Sequence, residues 1–499
     1  MVLPRDAEFV KRPQYQFMQS ATPSPRKAVQ NRMTITTRPR TVGELRDSGY
    51  KVLSVKEEMR KNLIEKLRKG EELFPGVVGY EETVIPQIEN AILSGQDIIF
   101  LGERGQAKTR MARSLVQLLD EYVPVLSGTE INDDPFHPIS KAGRDKLDEL
   151  GERAEIEWVS RDQRYGEKLA TPDITISDLI GEVDPVRVAE GRYLSDELTI
   201  HYGMIPRTNR GIFCINELPD LAERIQVGLL NIMEERDVQI RGYKIRLPLD
   251  VYVVASANPE DYTNRGRIIT PLKDRIGSEI RTHYPRTIEH EIQIMETESN
   301  HFTTEGMEIV IPQFMKEVIA EITHLARRSN DISQRSGVSV RVSVSNYENV
   351  LSNASRRAIR LNERQVSPRV SDLSAIIAST SGKIELDTVG DVKEDRVVQK
   401  LINAAIVSVF NQYFEQREFD QLVAGFERGL NVQVGDDMPS MEYVTQLSKV
   451  GGLSKAIDKL NGRGSSSSIA SSVEFVLEGL HLNRRLNKDN VQGKTRYRR

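Results

Sequence analysis

The chain has 499 residues, 38% of them apolar, and a formal net charge of -4 from 69 basic and 73 acidic side chains. That length exceeds what one hydrophobic core organises, so two or three domains are expected, and the near balance of charge excludes a chain built wholly around nucleic-acid phosphates or an anionic membrane. The single cysteine, Cys214, excludes an intrachain disulfide, and no apolar run approaches the roughly 20 residues of a membrane-crossing helix. No group of cysteines and histidines has zinc-ligand spacing. A cytoplasmic protein without membrane insertion is the expectation, and nucleic acid is not expected as a partner.

Residues 1–50 open the chain with many Arg, Lys, Ser, Thr and Pro, which predicts a disordered tail; the composition approaches that of a transit peptide but lacks an apolar helical face. Met33 is a candidate start within it. From Lys51 to Glu72, Leu53, Met59, Leu63 and Leu67 are spaced for one face of a helix. A Pro-Gly turn after Phe74 leads through an amphipathic segment to Asp97-Ile-Ile-Phe-Leu101, a short apolar strand that stops at glycine. Two more apolar strands follow: Gly211 to Ile215, ending in Asn216-Glu217, and Val251 to Ser256, ending in Ala257-Asn258-Pro259. Apolar runs separated by helical patterns predict an α/β domain with a parallel sheet buried on both faces, over residues 51–287. Beyond Pro285, 3.6-residue spacing at Glu289 to Glu298, Gln313 to Arg327 and Ser343 to Leu361 predicts an all-helical lid over residues 288–380. Residues 381–499 read as a helical C-terminal extension, with a flexible serine-rich linker near 462–471, a last helix from Val473 to Arg485 and a short basic tail in solvent. No internal repeat is evident.

Gly102, Glu103, Arg104, Gly105, Gln106, Ala107, Lys108 and Thr109 fit the phosphate-loop pattern G-x-x-x-x-G-K-[ST], with Ala107 in place of the second glycine. Such a loop points backbone N–H groups at phosphate oxygens, sends a lysine to the β and γ phosphates and sets a hydroxyl on Mg2+. Lys108 and Thr109 supply the last two, and Arg110 completes the candidate cofactor-binding run. Phosphoryl transfer to water also needs a carboxylate at a neighbouring strand end, and Glu217 is placed for it. The residue before it is Asn216, where the usual pattern has a metal-holding aspartate. A neutral donor there, reaching Mg2+ through water, predicts weaker metal affinity or slower hydrolysis. Asn258 offers an amide between the γ-phosphate and the attacking water, and Arg275, in Pro271-Leu-Lys-Asp-Arg-Ile276, is a candidate for stabilising transition-state charge.

The order of phosphate loop, Asn-Glu strand, Ala-Asn-Pro strand and Asp-Arg resembles AAA+ ATPases of the magnesium-chelatase ATPase-subunit and MoxR-like branch, over about residues 74–360. Leu229 to Ile240 is similar to the family's helix after the acidic strand, Arg241-Gly242 to its pre-sensor hairpin turn, and Asp178-Leu-Ile-Gly-Glu182 through Arg210-Gly211 to the insertion carrying the branch's extra hairpin. Ser336 to Arg341 is similar to the sensor-2 segment, which makes Arg341 the candidate γ-phosphate contact. In the same family Val78 and Gly79, with Tyr80 beside them, line the adenine pocket. The resemblance implies ATP and Mg2+ as cofactors, ATP hydrolysis, and a homo-oligomer, commonly a six-subunit ring, in which Arg275 reaches the neighbour's site. It also implies a partner bearing a von Willebrand A domain; no Asp-x-Ser-x-Ser signature of that domain occurs here, so such a module would be a separate chain.

Three functions fit these residues: a MoxR-like ATPase that remodels or activates a partner protein, the motor subunit of a magnesium or cobalt chelatase, and an ATP-binding scaffold with little turnover. The first is favoured, because Asn216 and the long C-terminal extension fit poorly with a standard chelatase motor, while Glu217, Asn258 and Arg275 argue against a scaffold. A transcription activator of the bacterial-enhancer type is disfavoured by the missing Gly-Ala-Phe-Thr-Gly-Ala loop.

Overall fold

The computed structural model describes residues 38–189, 197–234, 237–239, 246–259, 267–300, 306–333, 337–386, 393–447, 450, 452–491 and 494–499. Arg241, Gly242 and Ser336, and with them the expected pre-sensor turn and the start of the sensor-2 segment, lie outside these residues, as do residues 1–37.

Five parallel strands form the central sheet: β1 (Ile98–Leu101), β2 (Tyr165–Leu169), β3 (Gly211–Asn216), β4 (Val251–Ala257) and β5 (Ser278–Arg281), in the order β5-β1-β4-β3-β2. The central three are buried along their whole length, because helices cover both faces, and so they read as unbroken apolar runs. Alternate residues go to opposite sides. Phe100, Cys214 and Val254 pack with Met59, Leu63, Met111 and Leu115 on one face. Leu101, Phe213, Ile215 and Val253 pack with Ile225, Leu229 and Leu272 on the other.

The lead-in helix, Val55–Lys69, is bounded by chemistry legible in its sequence. Ser54 and Glu57 form a capping box at its start, and Gly70 takes the left-handed conformation (φ 67°) at its end. Its buried Glu58 forms a two-pronged ion pair with Arg164 just before β2, at 2.6 and 2.8 Å, tying this helix to the sheet edge. Two insertions decorate the core. An antiparallel pair, Tyr122–Leu126 with Ile156–Ser160, carries the helix Lys141–Leu150, and a second pair joins Gly181–Val183 to Ile200–Tyr202.

Three expectations are corrected. Residues 38–50 are ordered rather than part of a tail: the helix Val42–Asp47 buries Val42 and Leu45 against Leu126, Ala154 and Ile156, and the Trp158 indole donates to the Pro39 carbonyl at 2.9 Å. A low apolar content hides these contacts, because two anchoring side chains suffice for six residues of helix. Residues 462–471 are no linker. Ser465 caps a helix, Ser466–Leu482, whose residues Ser467, Ser468, Ser471 and Ser472 are buried. A serine hydroxyl is small and returns its hydrogen bond to a nearby carbonyl, as Ser472 does to Ser468 and Ser471 to Pro368, so a run that looks polar by composition packs as core. The third correction concerns the last residues. The basic tail is a strand, Lys494–Arg498, paired between Val432–Val434 and Asn487–Val491, with Tyr497 buried, so the C-terminal region is not wholly helical.

The lid and the extension also share one core. Met315, Val318 and Tyr347 join Val398, Phe410, Val476 and Leu477 in a single apolar cluster, and Phe314 stacks on Phe475 with centroids 4.5 Å apart. The division near residue 380 is therefore one of sequence pattern, not of packing.

Candidate functional site

The loop Gly102–Thr109 leaves the end of β1 and opens the helix Lys108–Ser114. Its turn uses two left-handed residues, Gly105 (φ 78°) and Ala107 (φ 56°). Alanine takes the conformation that the pattern's second glycine would supply freely, at a cost of roughly 1–2 kcal/mol. A Cβ on Gly105 would fall on the Ser339 hydroxyl, so the loop touches the N-cap of the long lid helix, Val340–Leu361, too closely for any other residue.

Behind the loop the candidate catalytic side chains meet. Lys108, 7% exposed, donates to the carbonyl oxygens of Gly102 and Glu103 and, at 2.6 Å, to Asn258 Oδ1. Asn258 Nδ2 donates in turn to Glu217 Oε2 at 2.9 Å. These three come from the helix start and from the tips of β4 and β3. Glu217 itself is left-handed (φ 56°, ψ 49°), a conformation that an L residue with a side chain adopts only under constraint from its surroundings.

A cavity of about 600 Å³ lies against this cluster, between the core and the lid. Val78 and Tyr80 line one end, Glu103 through Arg110 its floor, with Glu217 beside them, and Arg341, Val344, Ser345, Glu348 and Lys383 the lid side. Tyr80 is fixed there by donating to the Gln106 and His283 carbonyls, at 3.0 and 2.8 Å. Gly79 (φ 82°) makes the turn between Val78 and Tyr80 and does not itself line the cavity. Gly102 lines a second, smaller cavity of about 390 Å³, with Lys273 and Arg281. Arg341 sits in the first turn of its helix, an end whose free N–H groups favour anions. Arg275 lines neither cavity: it is half-buried at the end of the helix Thr270–Arg275 and donates to the Pro271 carbonyl at 2.8 Å.

Asn216 differs from its expected place. Its amide is engaged at both ends within the sheet, Nδ2 donating to Glu167 Oε1 at 2.7 Å and Oδ1 accepting from Ser256 Oγ at 3.2 Å, and it does not line the cavity. Thr109 and Glu217, which do line the cavity near the loop, carry oxygens that are hard donors of the kind Mg2+ accepts.

Several site residues carry no signal in the sequence by themselves. Arg341, Val344, Ser345 and Glu348 follow the i, i+3, i+4, i+7 spacing of one helix face, a pattern that locates them once Arg341 is suspected. Lys383 has no such signal. It arrives from a turn after the lid and donates to Ser345 Oγ at 2.6 Å. Glu167 is held by Arg113 through two bonds, at 2.7 and 2.9 Å, and this guanidinium holds its carboxyl below the usual carboxylate range against the opposing effect of burial.

A parallel sheet with a phosphate loop after its first strand, and polar side chains converging on that loop from the next strands, defines a P-loop nucleotide-binding fold. Over 226 residues the chain is 26% identical to the magnesium-chelatase 38 kDa subunit of Cereibacter sphaeroides, covering 44% of this chain and 62% of that protein. Over 238 residues it is 29% identical to the magnesium-chelatase subunit ChlI of Mesostigma viride, covering 44% and 61%. A family model described as the sigma-54 interaction domain matches residues 189–277. A solved complex of the magnesium-chelatase subunits BchI and BchD is 17% identical, with a TM-score of 0.34, covering 66% of this chain and 98% of that one. The chain is related in sequence to AAA+ ATPase subunits of magnesium chelatase of the ChlI type. It spans between half and two thirds of the length of the curated relatives it matches. Among the described residues no helix is long and apolar enough to cross a membrane.

Proposed function

We propose that this protein hydrolyses Mg-ATP in a homo-oligomeric ring of MoxR-like type and uses the cycle to remodel or activate a partner protein. The observation that carries this reading is the bonded series Lys108–Asn258–Glu217 beside a loop whose lysine and hydroxyl face a nucleotide-sized cavity. Lys108 is satisfied by loop carbonyls and Asn258; β and γ phosphate oxygens are stronger partners and would draw it toward the cavity. Asn258 would then be released to position the attacking water with Glu217, whose carboxylate takes up the proton. Thr109 would hold Mg2+, which would neutralise charge developing on the phosphates. Val78 and Tyr80 suit the base and Arg341 the γ-phosphate.

Arg275 does not line the cavity of its own subunit, which favours its use across a subunit boundary, where it would stabilise transition-state charge in a neighbour. Ring closure is then a condition of turnover. ATP spans core and lid through the loop and Arg341, whereas ADP lacks the phosphate Arg341 would hold, and this differential contact is what moves the lid. A separate partner with a von Willebrand A domain is the proposed recipient of that motion. The kinship with chelatase subunits supports a second reading, a motor for metal insertion into a tetrapyrrole. ATP turnover stimulated by a tetrapyrrole and a divalent metal would select it; turnover indifferent to both selects the remodelling role. A scaffold that binds ATP without turnover is what a catalytically silent wild type would establish instead.

A further inference from the structure

Asn216 stands where a metal-holding aspartate is expected, and its surroundings in the sheet require an amide. Four hydrogen bonds run in sequence through it. The Arg113 guanidinium donates to Glu167, Asn216 Nδ2 donates to Glu167 Oε1 at 2.7 Å, Ser256 Oγ donates to Asn216 Oδ1 at 3.2 Å, and the Glu217 backbone N–H donates to Ser256 Oγ at 3.2 Å. The relay thus links the helix behind the phosphate loop, β2, β3 and β4, and it ends on the backbone of the residue whose left-handed conformation aims the candidate catalytic carboxylate.

The chemistry of each link is directional. A carboxylate accepts only, so Glu167 needs a donor at 216; the Ser256 hydroxyl, which accepts from Glu217, must give its single proton to an acceptor at 216. Only a side chain with both a donor and an acceptor meets both demands, and asparagine does. Aspartate there would set two carboxylates at hydrogen-bond distance, a like-charge contact that disfavours ionisation of both. Neighbouring geometry agrees, since Glu167 lies opposite Cys214 in the β2–β3 register, on the sheet face covered by the helix that carries Arg113.

We infer that Glu167 and Asn216 are a matched pair of positioning residues, the carboxylate on β2 and the amide on β3 together holding Glu217 in its active conformation. The asparagine is then a working part of this site. The inference rests on the hydrolysis reading above and predicts, against simple pattern restoration, that putting aspartate at 216 slows the protein.

The test is a mutant cycle on the full chain: Glu167→Gln, Asn216→Asp, and the exchange variant carrying both, which places the amide on β2 and the carboxylate on β3. Steady-state kcat and KM for Mg-ATP, fluorescent-nucleotide binding and melting temperature are measured for all four proteins. Each single substitution is expected to lower kcat by about tenfold or more, with KM and nucleotide affinity within about threefold of wild type, and the exchange variant to recover most of the loss. An exchange variant as slow as the slower single overturns the pairing. Single variants that melt lower yet keep wild-type kcat overturn the positioning role, leaving a purely structural hydrogen-bonded pair. If wild type itself does not turn over, the hydrolysis reading fails on its own, and the pairing is then judged by melting temperature: recovery in the exchange variant upholds it, and additive losses refute it.

Discussion

Replacing Ala107 by glycine should stabilise this protein, the reverse of what removing a methyl group from a helix interior ordinarily does. Ala107 has φ 56° and ψ 14°, a conformation that costs an L residue roughly 1–2 kcal/mol and glycine nothing. Against that gain stands the extra freedom glycine confers on the unfolded chain, roughly 0.4–1 kcal/mol. Taken at the midpoints, the expected net effect is a stabilisation of about 0.8 kcal/mol, which for a domain the size of this core raises the melting temperature by roughly 2–3 °C. Differential scanning fluorimetry of the two proteins reads the shift, and titration with a fluorescent ATP analogue should show affinity kept within about threefold, since the backbone N–H groups of the loop stay where they are. A lower melting temperature, or loss of nucleotide binding, would refute the assignment of a left-handed alanine to the phosphate loop.

Gly105→Ala should leave the fold intact but weaken nucleotide binding by about tenfold or more, because the new methyl collides with Ser339 and pushes the lid from the loop; isothermal titration measures it. Glu58→Ala should cost about 3–5 kcal/mol in denaturant unfolding, since Arg164, 1% exposed, would keep its charge without its carboxylate. Cys214 is fully buried and its thiol is pushed up to about 12 by burial, so at pH 8 it stays protonated and enclosed. A thiol reagent should therefore label it only after denaturant is added, and rapid labelling of the native protein would contradict its place in the sheet.

What can be read from the sequence is set by burial. The central strands are covered on both faces and show as apolar runs, so the pattern alone places their ends, Lys108, Glu217 and Asn258, on one side of one sheet. The edge strands Tyr165–Leu169 and Ser278–Arg281 are short and half polar, as strands with a solvent-facing side tend to be, and they leave no such trace. Glu167 is hidden with its strand, and so is the reason for Asn216, because a partner 49 residues away has no local pattern. Lys383 is hidden for the same reason. The serine run at 465–472 misleads in the other direction, because composition counts hydroxyls and cannot register that those of Ser471 and Ser472 reach carbonyls while those of Ser465, Ser467 and Ser468 reach other serines. Loop and lid motifs locate the chemistry; which side chains bond to which is set by strand order.

The most direct test of the central claim is steady-state Mg-ATP hydrolysis by the purified chain across a concentration series, comparing wild type with Lys108→Ala, Glu217→Gln and Arg275→Ala. Specific activity that rises with protein concentration, falls in all three variants by about a hundredfold or more, and is partly regained when Arg275→Ala is mixed with Glu217→Gln is the predicted result, since a mixed ring pairs an intact Glu217 with a neighbour's intact Arg275. Turnover independent of concentration, or unaffected by Arg275→Ala, would contradict a site shared between subunits.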